Sequence, residues 1–112
     1  MAEHVFALSG CATFRADRFA KIDLIAGQAM FLGLNCFEPG QSQAVHAHHD
    51  ADKFYLILTG NARMIVGEER LDAGPETLIW APAGVPHGVE RVQGRTVMLV
   101  GMSPPPRASG TG

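Results

Sequence analysis

Glycine and proline divide this chain into short apolar runs, and no run repeats with a helical period. The 112 residues include 13 glycines and 7 prolines, most of which stand between apolar segments. Gly and Pro in such positions mark turns, and short alternating or apolar runs between turns are typical of strands. We therefore expect an all-β sandwich or barrel. A short helix over 13–19 is the one helical alternative.

The strand predictions follow from these boundaries. The segment 30–37 has apolar residues on both faces of an extended chain, which is typical of a buried strand. Gly60-Asn61 and Gln93-Gly94 are predicted as tight turns between neighbouring strands. The predicted strands are 21–26, 30–37, 45–48, 54–58, 63–66, 77–81, 87–92 and 96–102.

Length and composition predict one domain over 1–102, followed by a disordered Pro/Gly/Ser tail over 103–112. The formal charge of −2 gives no electrostatic reason to expect a nucleic-acid partner. The apolar runs are too short to cross a membrane, and the N-terminus does not resemble a signal peptide. With Cys11 and Cys36 as separated thiols, we expect a cytoplasmic protein. An apolar alternating context predicts that Cys36 is a small buried hydrophobe.

Three of the five histidines form a candidate metal site. His46 and His48 are two residues apart, so on a strand both imidazoles point to one face. His87 follows a rigid Pro-x-Gly turn and could supply a third imidazole from another strand. Neutral imidazole is a common ligand of divalent transition metals. His49 points away from His48 on a strand, and we expect it at the surface.

These residues resemble the two motifs of the cupin superfamily. The first motif has a glycine, His-x-His and a later glycine, which Gly40, His46, His48 and Gly60 match in place. The second has Pro-x-Gly followed after two residues by histidine, which Pro82, Gly84 and His87 match. The resemblance covers about residues 28–101.

The resemblance implies a double-stranded β-helix, the jelly-roll barrel, with the three histidines converging inside its mouth. It implies a divalent transition metal (Fe, Mn, Ni or Zn), a small-molecule ligand or substrate, and a homodimer. Cupin activities include dioxygenation, isomerisation, decarboxylation and binding without turnover.

The sequence departs from the motifs at three positions. The metal-binding glutamate of the first motif falls on Lys53, and the asparagine of the second falls on Arg91. Gly74 lies eight residues before Pro82 where the motif has six, which indicates a reshaped turn.

A lysine side chain at the position of a metal-binding carboxylate can be accommodated in three ways. An ammonium about 4 Å from a positive charge feels a repulsion of about 4 kcal/mol per unit charge at an effective dielectric constant near 20. In the outcome we favour, Lys53 points outward and pairs with Asp50 or Asp52. In the other two it stays inside and loses its proton, or it serves as an anion anchor in a pocket that holds metal weakly.

Two functions are consistent with these residues. The first is a metal-dependent enzyme, dioxygenase-like or isomerase-like, that acts on a small anionic or chelating substrate. Its ligands would be His46, His48 and His87, and Lys53, Tyr55 and Arg91 would orient the substrate. The alternative is a non-catalytic module that binds a small acid or sugar, because one barrel supports many functions.

Overall fold

The structure is a computed structural model, and it describes residues 4–106. Seven strands and one short 3-10 helix form the regular structure of this part of the chain. The segment 13–19 is irregular, so the helix considered there is wrong. The elements are the 3-10 helix Leu8–Gly10, β1 Ala20–Ala26, β2 Phe31–Phe37, β3 Gln43–His46, β4 Asp52–Val66, β5 Glu69–Ala73, β6 Leu78–Ala81 and β7 His87–Ser103.

The strands pair antiparallel in the order β1-β2-β7-β4-β5, while β3 pairs with β7 and β6 pairs with β4. The two longest strands, β4 and β7, pair from Asp52↔Ser103 at one end to Val66↔His87 at the other. Each long strand is therefore shared by two parts of the barrel. This arrangement confirms the all-β, double-stranded β-helix architecture.

Strands run through both segments that the sequence predicts as tight turns, and Gly60 lies at an irregular point of β4. Gly60 has a φ of +88°, and an added Cβ would collide with the carbonyl oxygen of Arg95 and with Thr96. Only glycine satisfies both conditions. Pairing with β7 continues on both sides of it, through Thr59 and Asn61. The predictions of turns at 60–61 and 93–94 are wrong because both segments lie inside continuous, irregular strands.

Strand β5 has no counterpart among the predicted strands. Its residues Glu69, Arg70 and Asp72 are charged and exposed, so no apolar alternation marks it. It pairs with β4 alone, from Ala62↔Ala73 to Val66↔Glu69. Charged residues are common on such an edge strand, where they oppose pairing with other chains.

Two apolar clusters stabilise the barrel. The larger one lies inside and includes Phe37, Tyr55, Ile57, Met64 and Met98, each fully buried. The smaller one packs Leu34 and Cys36 of β2 against the segment that precedes β1. The prediction that Cys36 is a buried hydrophobe is thus confirmed.

Strand β7 extends one residue beyond the predicted domain boundary. Ser103 is its last residue, and the Ser103 hydroxyl donates a hydrogen bond to the Ala29 carbonyl at 2.6 Å. Residues 104–106 follow without regular structure. The rest of the predicted tail, 107–112, lies outside the described residues.

Candidate metal centre

His46 and His87 stand opposite each other on paired strands. His46 is the last residue of β3 and His87 the first of β7, and the two are partners in the antiparallel register. Directly opposed residues point to the same face of a sheet. Their ring centroids are 4.4 Å apart.

His48 lies in the loop after β3, which ends at His46, so the two-residue strand argument does not explain its position. The loop is held in place by the turn before β7. The Gly84 N–H donates to the His48 carbonyl at 2.7 Å, and the Ala83 N–H donates to Asp52 at 2.9 Å. The Pro-x-Gly turn therefore positions the loop that carries His48 as well as the strand that carries His87.

The three imidazoles converge. The centroid of His48 lies 5.0 Å from that of His46 and 5.5 Å from that of His87. One ligand nitrogen from each ring lies within 4.8 Å of the other two. Divalent metals bind imidazole nitrogens at about 2.0–2.1 Å, so that tetrahedral neighbours stand about 3.4 Å apart. Small ring movements would close the three nitrogens around one ion.

The hydrogen bonds of the rings favour coordination through Nε2. In His46, Nδ1 lies 3.0 Å from the Ala44 carbonyl oxygen. In His87, Nδ1 lies 2.9 Å from the Val85 carbonyl oxygen. A carbonyl only accepts, so Nδ1 of the neutral ring carries the proton and Nε2 has a free lone pair. Nε2 of all three rings is buried without a hydrogen-bond partner. In His46 and His87 this atom is a free acceptor, and three converging rings whose Nε2 atoms have no protein partner fit a metal ion.

Burial also keeps these rings neutral. It lowers the pKa of His46 and of His48 below the ordinary histidine value. The pKa of His87 falls to about 4, again mainly because burial disfavours the charged ring. Neutral imidazole is the form that binds metal, so these rings are ready to coordinate at neutral pH.

Lys53 points inward, and the favoured expectation that it turns outward is wrong. Its side chain is 1% exposed, and Nζ has no hydrogen-bond partner. Asp52 instead accepts the hydrogen bond from Ala83 described above. Burial lowers the pKa of Lys53 to about 7. Its charge lowers the pKa of all three site histidines, which places it close to the site.

Tyr55 lies between the histidines and the apolar core. Its ring centroid is 6.0 Å from that of His87 and 4.9 Å from Lys53 Nζ. The hydroxyl donates a hydrogen bond to Gln43 at 2.8 Å, and burial raises the pKa of Tyr55. Its hydroxyl is therefore a satisfied core group. Gln43 was missed in the sequence because a lone glutamine has no motif.

Arg91 lies elsewhere on the barrel. It is exposed, pairs with Glu90 at 3.1 Å, and lines a separate small cavity with Asn61 and Arg63. The structure therefore does not bring Arg91 to the three histidines. His49 is exposed, as expected.

His46 and His48 line a cavity of about 750 Å³, together with their neighbours Gln43, Ala44 and Ala47. His87 is not among its lining residues. The rest of the lining comes from β1 and the segment before it, through Thr13, Arg15, Arg18, Phe19, Ala20, Lys21 and Ile22. The sequence patterns did not identify the basic residues of this lining, because they precede both motifs.

The comparisons with known proteins agree with this architecture. The family model described as Cupin domain matches residues 33–101. The structure of TT1209 from Thermus thermophilus is 36% identical, with a TM-score of 0.87 over 91% of this chain and 98% of that one. An uncharacterized protein of Streptomyces coelicolor, SCO3923, is 27% identical over 80% of this chain and 85% of its own length.

A more distant structure shares the fold alone. KdgF from Halomonas sp. is 15% identical, with a TM-score of 0.78 over 83% of this chain and 84% of that one. Among the described residues, no helix has the length and apolar character that a membrane span requires. The family match over residues 33–101, the double-stranded β-helix and the histidine cluster lead to one conclusion: the chain belongs to the cupin superfamily.

Proposed function

We propose that this cupin binds a divalent transition metal (Fe, Mn, Ni or Zn) through His46, His48 and His87. The observation that carries the proposal is the set of three buried Nε2 atoms without partners, on three converging rings of which His46 and His48 line the cavity. Three neutral imidazoles are sufficient to hold a divalent metal and leave positions open for a ligand. When bound, such a metal supplies Lewis-acid polarisation of a coordinated oxygen.

The ligand we propose is small, anionic and able to chelate. The three imidazoles are neutral, so the site keeps the full charge of the cation. Arg15, Arg18 and Lys21 line the cavity, and the described residues that line it include no aspartate or glutamate. Opposite charges attract strongly in a partly enclosed cleft, and a cleft of this sign favours anions.

The proposed reaction is dioxygenase-like or isomerase-like chemistry on that ligand. Lys53 is the residue we propose for proton handling near the three histidines, because its buried amine has a pKa near 7 and accepts or releases a proton at neutral pH. Tyr55 holds Gln43 in place at the cavity wall and keeps its own proton.

One observation favours the alternative, a binding module without turnover. The cavity lining carries no carboxylate that could act as general base, and Lys53 is too buried to line the open cavity. The same metal and the same anionic ligand would then serve recognition alone.

Turnover assays separate the two functions. Iron-loaded protein is tested for oxygen uptake with diketones, thiols and catechols, and for solvent deuterium incorporation into the same compounds. Activity that is lost in His48→Ala and kept in His49→Ala supports the enzyme. Iron-loaded protein that binds these compounds and changes none of them supports the binding module.

We further propose a cytoplasmic homodimer. Leu78 and Trp80 of β6 are 65% and 55% exposed. They are in register with the partly buried Leu56 and Phe54 of β4, which makes a continuous apolar face. Light scattering should show a dimer for the wild-type chain and a monomer for Trp80→Glu. A wild-type monomer at micromolar concentration contradicts this.

A further inference from the structure

The part of the cavity lining that comes from β1 and the segment before it is basic. Arg18 precedes β1 and Lys21 lies within it, and both side chains are exposed at the cavity. Lys21 is in register with Asn35 of β2, and the Asn35 side chain is buried. Opposed residues on paired strands point to the same face of a sheet, so the Lys21 and Asn35 side chains lie on one face.

The charge of Lys21 acts on the histidine cluster, although burial is the larger cause: it makes a small contribution to the lowered pKa values of His46, His48 and Lys53. Its Nζ lies 5.8 Å from the ring centroid of Phe19, which also lines the cavity. The ammonium therefore lies near the cavity lining.

Arg18 and Lys21 are the basic residues available to a ligand. Arg15 is already engaged, because its Nε and terminal nitrogen each lie 3.0 Å from an Asp17 carboxylate oxygen. The ion pairs of the described residues include neither Arg18 nor Lys21. Because Asp17 neutralises Arg15, these side chains leave two net positive charges at the opening.

We infer, on the basis of the proposed function, that the ligand carries two anionic groups, one at each end. A chelating carboxylate end would occupy the histidine centre, and a second anionic group, carboxylate or phosphate, would be held by Arg18 and Lys21. Arginine and lysine both donate charge-assisted hydrogen bonds to such groups. Both residues precede the segment that matches the family model, residues 33–101, so this specificity belongs to the N-terminal part of the chain.

Matched 2-hydroxy acids test the inference by isothermal titration of the zinc-loaded protein. Lactate has the chelating end alone. Malate and 2-hydroxyglutarate add a second carboxylate on a shorter and a longer spacer, and 3-phosphoglycerate adds a phosphate. The wild type should bind at least one of these three two-ended anions about tenfold or more tightly than lactate. The best of the three identifies the second group and its spacing.

Substitutions test whether Arg18 and Lys21 cause this binding preference. In the double variant Arg18→Gln and Lys21→Gln the preference for the two-ended anion should fall about tenfold, while lactate binding changes little. Arg91→Gln removes one exposed charge away from the cavity and should keep the preference. Zinc content is measured on every preparation.

The outcomes separate the two proposals. Retained zinc with equal binding of lactate and all three two-ended anions overturns the inference and leaves the metal site standing. A preference that survives the double substitution also overturns it. A wild-type chain that retains no zinc contradicts the proposed function, and the inference with it.

Discussion

His46 on β3 and His87 on β7 are oriented in the same way, each by a hydrogen bond from its ring to a backbone carbonyl. Each Nδ1 bonds to the carbonyl two residues earlier, that of Ala44 in one case and of Val85 in the other. The two residues are also register partners at one end of the β3–β7 pair. Both rings therefore present Nε2 to a common point before any metal arrives. Such preorganisation reduces the cost of binding an ion.

The Lys53 amine should make metal affinity depend on pH. With a pKa near 7, Lys53 is largely neutral above pH 7 and gains a proton below it, and this charge repels the cation. We expect zinc affinity to decrease by up to about tenfold per pH unit as pH falls from about 7 to about 5.5. Competition with a chelator at several pH values measures it.

Lys53→Met is the control for this pH dependence. The histidine pKa values lie below the ordinary one, so the variant should lose less affinity than the wild type over the same pH range. Identical pH profiles for both proteins would show that Lys53 does not act on the site.

The same lysine should affect the stability of the metal-free protein. The pKa of Lys53 is lower in the folded chain, about 7, than its ordinary value of 10.5. Between these values the unfolded chain binds more protons, so the free energy of unfolding rises with pH and the penalty of burial is largest below pH 7. The difference corresponds to a penalty on the order of 5 kcal/mol.

Urea denaturation at pH 7, 8, 9 and 10 measures this contribution. Lys53→Met should be more stable than the wild type at pH 7, and the gap between them should narrow toward pH 10. A constant difference across the series would mean that the folded state does not shift the Lys53 pKa.

Gly60→Ala should be strongly destabilising. The variant requires a positive φ at alanine and also places a Cβ against Arg95 and Thr96, so we expect a loss of about 3 kcal/mol or more. Gly94 has a φ of +70° but open space around its Cβ position. Gly94→Ala should therefore cost only about 1 kcal/mol. Equal losses in thermal or urea denaturation would remove the steric argument for Gly60.

The sequence predicted the fold class and the histidine cluster because both depend on local signals. Strand alternation, turn residues and two ordered motifs brought His46, His48 and His87 together as candidates. His48 lies near the other two histidines for a reason that the strand argument did not include, since a hydrogen bond from the Gly84 N–H holds its loop.

Other features depend on contacts that no local pattern encodes. A glycine with positive φ serves a hairpin or a bent strand equally well, so Gly60 and Gly94 did not reveal that β4 and β7 run through them. The direction of Lys53 depends on its burial between Ala81 and Met102, its register partners on two strands. Lys21 became part of the cavity through the pairing of β1 with β2.

The most direct test of the account is metal content per chain after loading with zinc and dialysis, measured by mass spectrometry of the wild type, His48→Ala and His49→Ala. His49 is exposed and adjacent, so it is the matched control. We predict about one zinc ion per chain in the wild type and in His49→Ala, and little in His48→Ala. Equal metal content in the wild type and His48→Ala would contradict the proposed centre.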